Sequence, residues 1–215
     1  TSALSSLTMG DSNVTLYAIY RKEAKTITIT FNKNGSTSQT PSGGSVNGAN
    51  TLTQSCTIAA VYNNATQASS CNITSPTINA STNTPTVVGY NTSASATSSS
   101  WNQNTSKAVS ANATYYAITR KDAVTLTAKF NANGASLSSS SNQTCTLAAT
   151  YNGTAQATSC TVTAPTITRS GYTIIGYNTS ASSTTNNSSY NTSNKALTLK
   201  TSNNNSTWYA ITSKV

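Results

Sequence analysis

The chain has 215 residues, 35% of them hydrophobic and only 7% charged, with a net charge of +9 and no histidine. Such a length holds one large domain or two ordinary ones. The only acids are Asp11, Glu23 and Asp122, too few and too far apart for general acid–base work or metal binding, so an enzyme, a cofactor and a metal site are not expected.

The cations are scattered, with no run longer than two, whereas nucleic-acid binders cluster them. No apolar run approaches the length of a membrane span. The weak positive excess would draw the chain only towards an anionic cell-wall polymer or a host glycan such as mucin. Apolar residues are few but regularly spaced, which favours small ordered β modules with thin cores.

In chain order, TLYAIYRKE (15–23) returns as TYYAITRKD (114–122) and again as TWYAITSK (207–214). TITFNKNG (28–35) returns as TAKFNANG (127–134), and GYNTSAS occurs unchanged at 89–95 and 176–182. The copies keep their order, so residues 23–121 and 122–215 read as two repeat modules. Residues 1–22 read as the tail of a preceding module, and the chain as a piece of a longer array. The apolar strand at 14–20 would then be an unpaired edge open to self-association.

In KTITITF the residues Ile27, Ile29 and Phe31 share one face, and Leu126, Ala128 and Phe130 repeat it. This period of two marks half-buried strands, and the NKNG and NANG that follow end them as turns.

The four cysteines lie in SCTIAAVYNNATQASSC (55–71) and TCTLAATYNGTAQATSC (144–160). The midpoints fall at Asn63-Asn64 and Asn152-Gly153, a strong signal for a two-residue hairpin turn. An antiparallel ribbon would set Cys56 opposite Cys71 and Cys145 opposite Cys160, with either a two- or a four-residue turn. Structural disulfides are favoured over metal or redox roles, and they imply an oxidising, extracellular setting. Closing such a loop contributes about 3 kcal/mol. Further strands are expected at 84–92, 171–179, 114–120 and 207–213, with one short helix or turn near the aromatics Trp101 and Tyr190. The fold class is mainly β, α+β at most.

The ordered set of Phe-Asn-x-Asn-Gly, Pro-Thr-Ile, Gly-Tyr-Asn-Thr, aromatic and Tyr-Ala-Ile resembles the Listeria–Bacteroides repeat of internalins and other bacterial surface proteins. GYTIIGY (171–177) matches the centre of that pattern, with Tyr177 in place of its Trp, while module 1 keeps only VVGY (87–90). TLYAIY (15–20) matches its end. The resemblance implies two tandem β-grasp-like modules and a stalk or adhesive role outside the cell. The cysteine hairpins and the scarcity of acids depart from it.

Glu23 and Asp122 each follow a basic pair and are expected to form local ion pairs at the module junctions. The sharper alternative is a Lys–Asn isopeptide bond promoted by such an acid, with Lys129 as the lysine, although alternation turns Lys129 away from the core. Most of the aromatics sit at repeat-equivalent strand positions, so core packing is their default; the alternative is a sugar-binding platform of exposed rings, for which Trp101 and Tyr190 are the candidates. Asn64, Asn72, Asn104 and Asn152 head glycosylation sequons, which an Asn/Thr-rich composition produces by itself. The leading functional expectation is a structural stalk of a secreted or surface-attached protein that needs no partner to fold. A carbohydrate- or mucin-binding module and a self-assembling surface fibre are the alternatives.

Overall fold

The computed structural model describes residues 6, 8, 10–40, 45–47, 50–139 and 142–215; the tail at 1–22 is therefore described only in part. The first strands are β1 (Arg21–Lys22), β2 (Lys25–Asn32), β3 (Ser38–Thr40), β4 (Ser45–Asn47), β5 (Thr51–Ile58) and β6 (Val61–Tyr62). Module 1 continues through β7 (Cys71–Thr74), β8 (Thr77–Asn79), β9 (Thr86–Asn91), β10 (Ser106–Val109) and β11 (Ala113–Lys121). Module 2 opens with β12 (Val124–Asn131), β13 (Ser136–Leu137), β14 (Gln143–Leu147), β15 (Thr150–Tyr151) and β16 (Ser159–Thr163). It closes with β17 (Ile167–Thr168), β18 (Tyr172–Asn178), β19 (Tyr190–Asn191), β20 (Ala196–Lys200) and β21 (Thr207–Lys214). The one helical element among the described residues is a 3-10 turn at Thr201–Asn203, so the protein is a mainly β structure.

The two modules share one wiring. In module 1 the last strand, β11, runs parallel to the first, β2, with Tyr115 opposite Phe31. On its other side β11 pairs antiparallel with β9, and β5 flanks β2 with Cys56 opposite Ile27. Module 2 repeats this: β21 is parallel to β12 and antiparallel to β18, and β14 flanks β12 with Cys145 opposite Leu126. A smaller sheet covers each main one, β7 with β10 in module 1 and β16 with β20 and β19 in module 2. Each core cluster draws residues from both sheets, within 27–117 in one case and 126–210 in the other.

The alternation read from the sequence is the one that buries. Ile27, Ile29 and Phe31 are buried, as are Leu126 and Ala128, while Lys129 points outward to solvent. Aromatic rings fill the centre. Phe31 meets Tyr90 edge to face at 4.9 Å, and Trp101 meets Tyr115 at 5.0 Å. The same four positions in module 2 hold Phe130, Tyr177, Tyr190 and Trp208. The Trp and Tyr have exchanged places between modules, which conserves total volume and so keeps the core filled.

The Gly-Tyr-Asn-Thr motif has a local cause. Gly89 and Gly176 sit at φ 134 and 136, beside bulges in the β9–β11 and β18–β21 ladders. A Cβ on Gly176 would lie 2.6 Å from Asn186 Oδ1 and 3.0 Å from the Tyr190 ring; on Gly89 it would lie 2.7 Å from Ser99 Cβ. The next residue, Tyr90 or Tyr177, is wholly buried, and Asn91 and Asn178 span the following loop with side-chain bonds to Ser98 O and Thr185 O.

Both predicted disulfides are present, Cys56–Cys71 and Cys145–Cys160, with Cα atoms 5.9 and 6.0 Å apart. The expected ribbon around them is not. No ladder joins β5 to β7 or β14 to β16 among the described residues. Each bridge instead links the main sheet to the smaller one, and the bonded cysteines pack against the core. The turn at the midpoint is the two-residue kind, with positive φ at Asn63 and Asn64 and at Asn152 and Gly153 and with Ala65 and Thr154 closing it onto Tyr62 O and Tyr151 O. Beyond it the chain does not return as a strand. Gln67 Nε2 reaches Ala59 O and Glu23 O, and Gln156 Nε2 reaches Ala148 O and Asp122 O. One side-chain amide thus does locally what a ladder would have done.

Two outcomes are expected. Gly176→Ala should cost about 1–3 kcal/mol through forced backbone strain and ring contact, measured by denaturant unfolding; a change within error would show that the Tyr190 loop gives way freely. Burial raises the Tyr90 hydroxyl pKa despite the bond from Gln39, and raises those of Tyr177 and Tyr190. A pKa raised in the folded state means stability is complete below the unfolded value near 10 and falls as pH rises beyond it. The melting midpoint should therefore decline above about pH 10, and a decline beginning near neutrality would refute this.

Candidate functional site

The sequence motifs that recur most faithfully meet at one end of each module. The Phe-Asn-x-Asn-Gly turn is locked by its own asparagines: Asn32 Oδ1 accepts from the Asn34 amide, and Asn131 Oδ1 from the Asn133 amide. Asn34 and Asn133 take positive φ, as do Gly35 and Gly134. Asn34 Nδ2 then donates to Ala94 O at 2.9 Å and Ala117 O at 3.0 Å. Asn133 Nδ2 does the same with Ala181 O and Ala210 O. One amide therefore ties together the turn, the GYNTSAS loop and the Tyr-Ala-Ile strand.

In module 1 this place is a socket, and the tip of module 2 fills it. Strand β15 extends the module 1 sheet by pairing with the far end of β11, Tyr151 opposite Arg120. The Asn152 amide donates to Thr119 O at 2.9 Å, and its Oδ1 accepts from the Thr119 amide at 3.3 Å. Asn152 Nδ2 donates to Ala94 O at 2.9 Å. The Gly153 amide donates to Thr84 Oγ1 at 3.0 Å, and Asn83 Nδ2 donates to Gly153 O. Thr84 is itself fixed by a 2.8 Å bond to the buried Thr119 hydroxyl. Gly35 and Gly153 face each other so closely that a Cβ on Gly35 would strike Asn152 O, and one on Gly153 would lie 2.7 Å from Gly35 O. Glycine is required on both sides of this contact for space as well as for φ.

The tail repeats part of the same joint. The Asn63 amide donates to Tyr20 O, and β6 pairs with β1, Tyr62 opposite Arg21. Tyr20 corresponds to Thr119 by the repeat. At the other end the socket over Gly134 contains an arginine instead of a tip. Arg169 reaches within 3.4 Å of the position a Gly134 Cβ would take, donates to Thr212 Oγ1 and stacks 3.8 Å over the Tyr172 ring.

The remaining candidates fall as follows. Glu23 and Asp122 each pair with the arginine two residues before, at 2.6 and 2.8 Å; both pairs are exposed and contribute little stability. Trp101 and Tyr190 are 4% and 8% exposed, inside the aromatic cores, so neither offers an open face for a sugar to stack upon. This corrects the expectation of a platform there: Trp101 is drawn inward by backbone bonds to Tyr90 and by its indole bond to Thr105 O. The predicted strand at 14–20 carries no ladder. Leu16, Tyr17 and Ile19 are 65%, 84% and 55% exposed, although their counterparts in the modules are strand residues, those of Leu16 and Ile19 buried (Tyr115 and Trp208, Ile118 and Ile211). Pairing starts only at Arg21, where β6 supplies a partner. Among the sequons, Asn64, Asn72 and Asn104 are exposed, whereas the Asn152 amide is committed to the joint. Among the described residues no group of acids and cysteines is placed to hold a metal, and no helix is long and apolar enough to cross a membrane.

The sequence singled out the Asn-Gly tip as a turn and missed it as a contact. Asn83, Thr84 and Gln156 were missed altogether, although Gln156 recurs with Gln67 four residues before the second cysteine of each pair. Compared with protein-family models, curated proteins and solved structures, the chain matches none.

Asn152→Ala removes the side-chain bonds to both Thr119 and Ala94. It should cost the joint about 1–3 kcal/mol and speed hydrogen exchange in the β11–β15 ladder while leaving the core amides of both modules unchanged. Unaltered exchange in that ladder would show that the tip side chain contributes nothing.

Proposed function

We propose that the chain is a rigid spacer: tandem repeat modules of the stalk of a secreted or surface-attached protein, of the Listeria–Bacteroides repeat kind and β-grasp-like in ancestry. The observation that carries this reading is the tip-in-socket joint. Only residues 122 and 123 separate β11 from β12, and the tip of module 2 is bonded to three separate segments of module 1. A joint of that kind transmits orientation from one unit to the next. The tail supports an array by the same reasoning, since residues 20–22 meet the module 1 tip as 119–121 meet the module 2 tip.

An extracellular setting is supported by the disulfides, which persist where thiols are oxidised. The low share of charged side chains, 7% of the chain, and the lack of histidine also suit a spacer, because the charge on its surface changes little around neutral pH.

Two measurements test the proposal. Distances between spin labels placed on non-cysteine residues of the two modules should give one narrow distribution; a broad one would mean a flexible pair and sink the spacer reading. Reduction by dithiothreitol should lower the melting temperature by roughly ten degrees or more, given about 3 kcal/mol per bridge in a module of this size, and an unchanged midpoint would remove the bridges from the account of its durability.

A further inference from the structure

We infer that the Asn152–Gly153 peptide is a chemical modification site held in check by the joint, and that its deamidation permanently releases module 2 from module 1. The inference rests on the geometry of the joint and stands whether or not the chain serves as a stalk.

The chemistry needs only water. The Gly153 backbone nitrogen, after losing its proton, attacks Asn152 Cγ; the Cγ–Nδ2 bond breaks and ammonia leaves, closing a five-membered succinimide. Water then opens that ring at one of its two carbonyls, giving aspartate or isoaspartate. The balance is asparagine plus water to acid plus ammonia. A glycine in second place presents no side chain to hinder the attack, so Asn-Gly is the pair most open to it.

Every group in that reaction is held by module 1. The nucleophile, the Gly153 N–H, donates to Thr84 Oγ1. The leaving nitrogen, Asn152 Nδ2, donates to Ala94 O, and Oδ1 accepts from the Thr119 amide. In the docked joint the nitrogen cannot turn onto Cγ without breaking these bonds, so the reaction proceeds through open states of the joint. The other two described Asn-Gly pairs differ in this respect. The Asn34 and Asn133 amides are each fixed by two carbonyls of their own module. Their protection is internal, whereas that of Asn152 depends on a neighbour.

The product does not fit the socket. In aspartate the atom that faced Ala94 O is an oxygen, which cannot donate and repels that carbonyl. Isoaspartate adds a methylene to the main chain at a turn wedged against Gly35, where no room exists for even a Cβ. Either product should leave the modules folded and the joint open.

The test uses the whole chain, incubated at mildly alkaline pH and mapped by peptide mass spectrometry, with Asn133 as internal control. Conversion at Asn152 should be slow in the native protein and fast in guanidinium. Thr84→Val, and the milder exposed change Asn83→Ala, should each speed it, the former roughly tenfold, with Asn133 unaffected. Asn152→Asp should abolish exchange protection in the β11–β15 ladder while core amides stay protected. Conversion in the native protein as fast as in guanidinium would overturn the inference. So would an unchanged Asn152 rate in both socket variants, or an Asn152→Asp chain whose ladder amides remain protected.

Discussion

In each module a covalent constraint reinforces two layers that share only a small apolar core. The apolar residues of a 35% hydrophobic chain are spread over two separate cores, and a core of that size leaves a narrow margin over the entropy of ordering the chain. The bridge from β5 to β7, or from β14 to β16, removes part of that entropy from the unfolded state. It also fixes both ends of the segment that projects from the module. The tip can therefore make exacting contacts with a neighbour without being part of a sheet of its own module.

Around that constraint the rest follows from packing. The aromatic rings occupy the space between the sheets, and the exchange of Trp and Tyr between modules shows volume being kept while identity varies. Gly89 and Gly176 exist because a ring-bearing loop lies directly over the main chain. The loops are built from Asn and Ser because side-chain amides and hydroxyls satisfy backbone groups that no ladder reaches. A composition that looks like filler is the means by which a β protein with many short strands pairs its polar backbone.

The legible parts of the sequence were those with a local physical signature. Ile27, Ile29 and Phe31 announced a buried face by period two, and Asn152-Gly153 announced a tight turn. The cysteine pairing followed from that symmetry, although the reason given for it, a ladder between the two arms, was mistaken. The Asn-Gly turn forms, but the arms on either side of it do not pair with each other. Tyr62 and Tyr151 instead pair with Arg21 and Arg120, because the far ends of β1 and β11 have open edges. No local pattern encodes that choice. The burial of Trp101 has no local signature either: its neighbours are Ser and Asn, and the bonds between Tyr90 and Trp101 that hold it beneath the loop join residues eleven apart.

The parallel pairing of first and last strands has a mechanical corollary. A pull applied at the two ends of a module draws β2 one way and β11 the other along their common axis. The cross-links from Ala113 to Tyr116 are then loaded in shear, all at once, and do not unzip in sequence. Module 2 has the same geometry between Lys129 and Asn131 on β12 and Thr207 and Tyr209 on β21. Tension thus falls first on the most cooperative part of each unit.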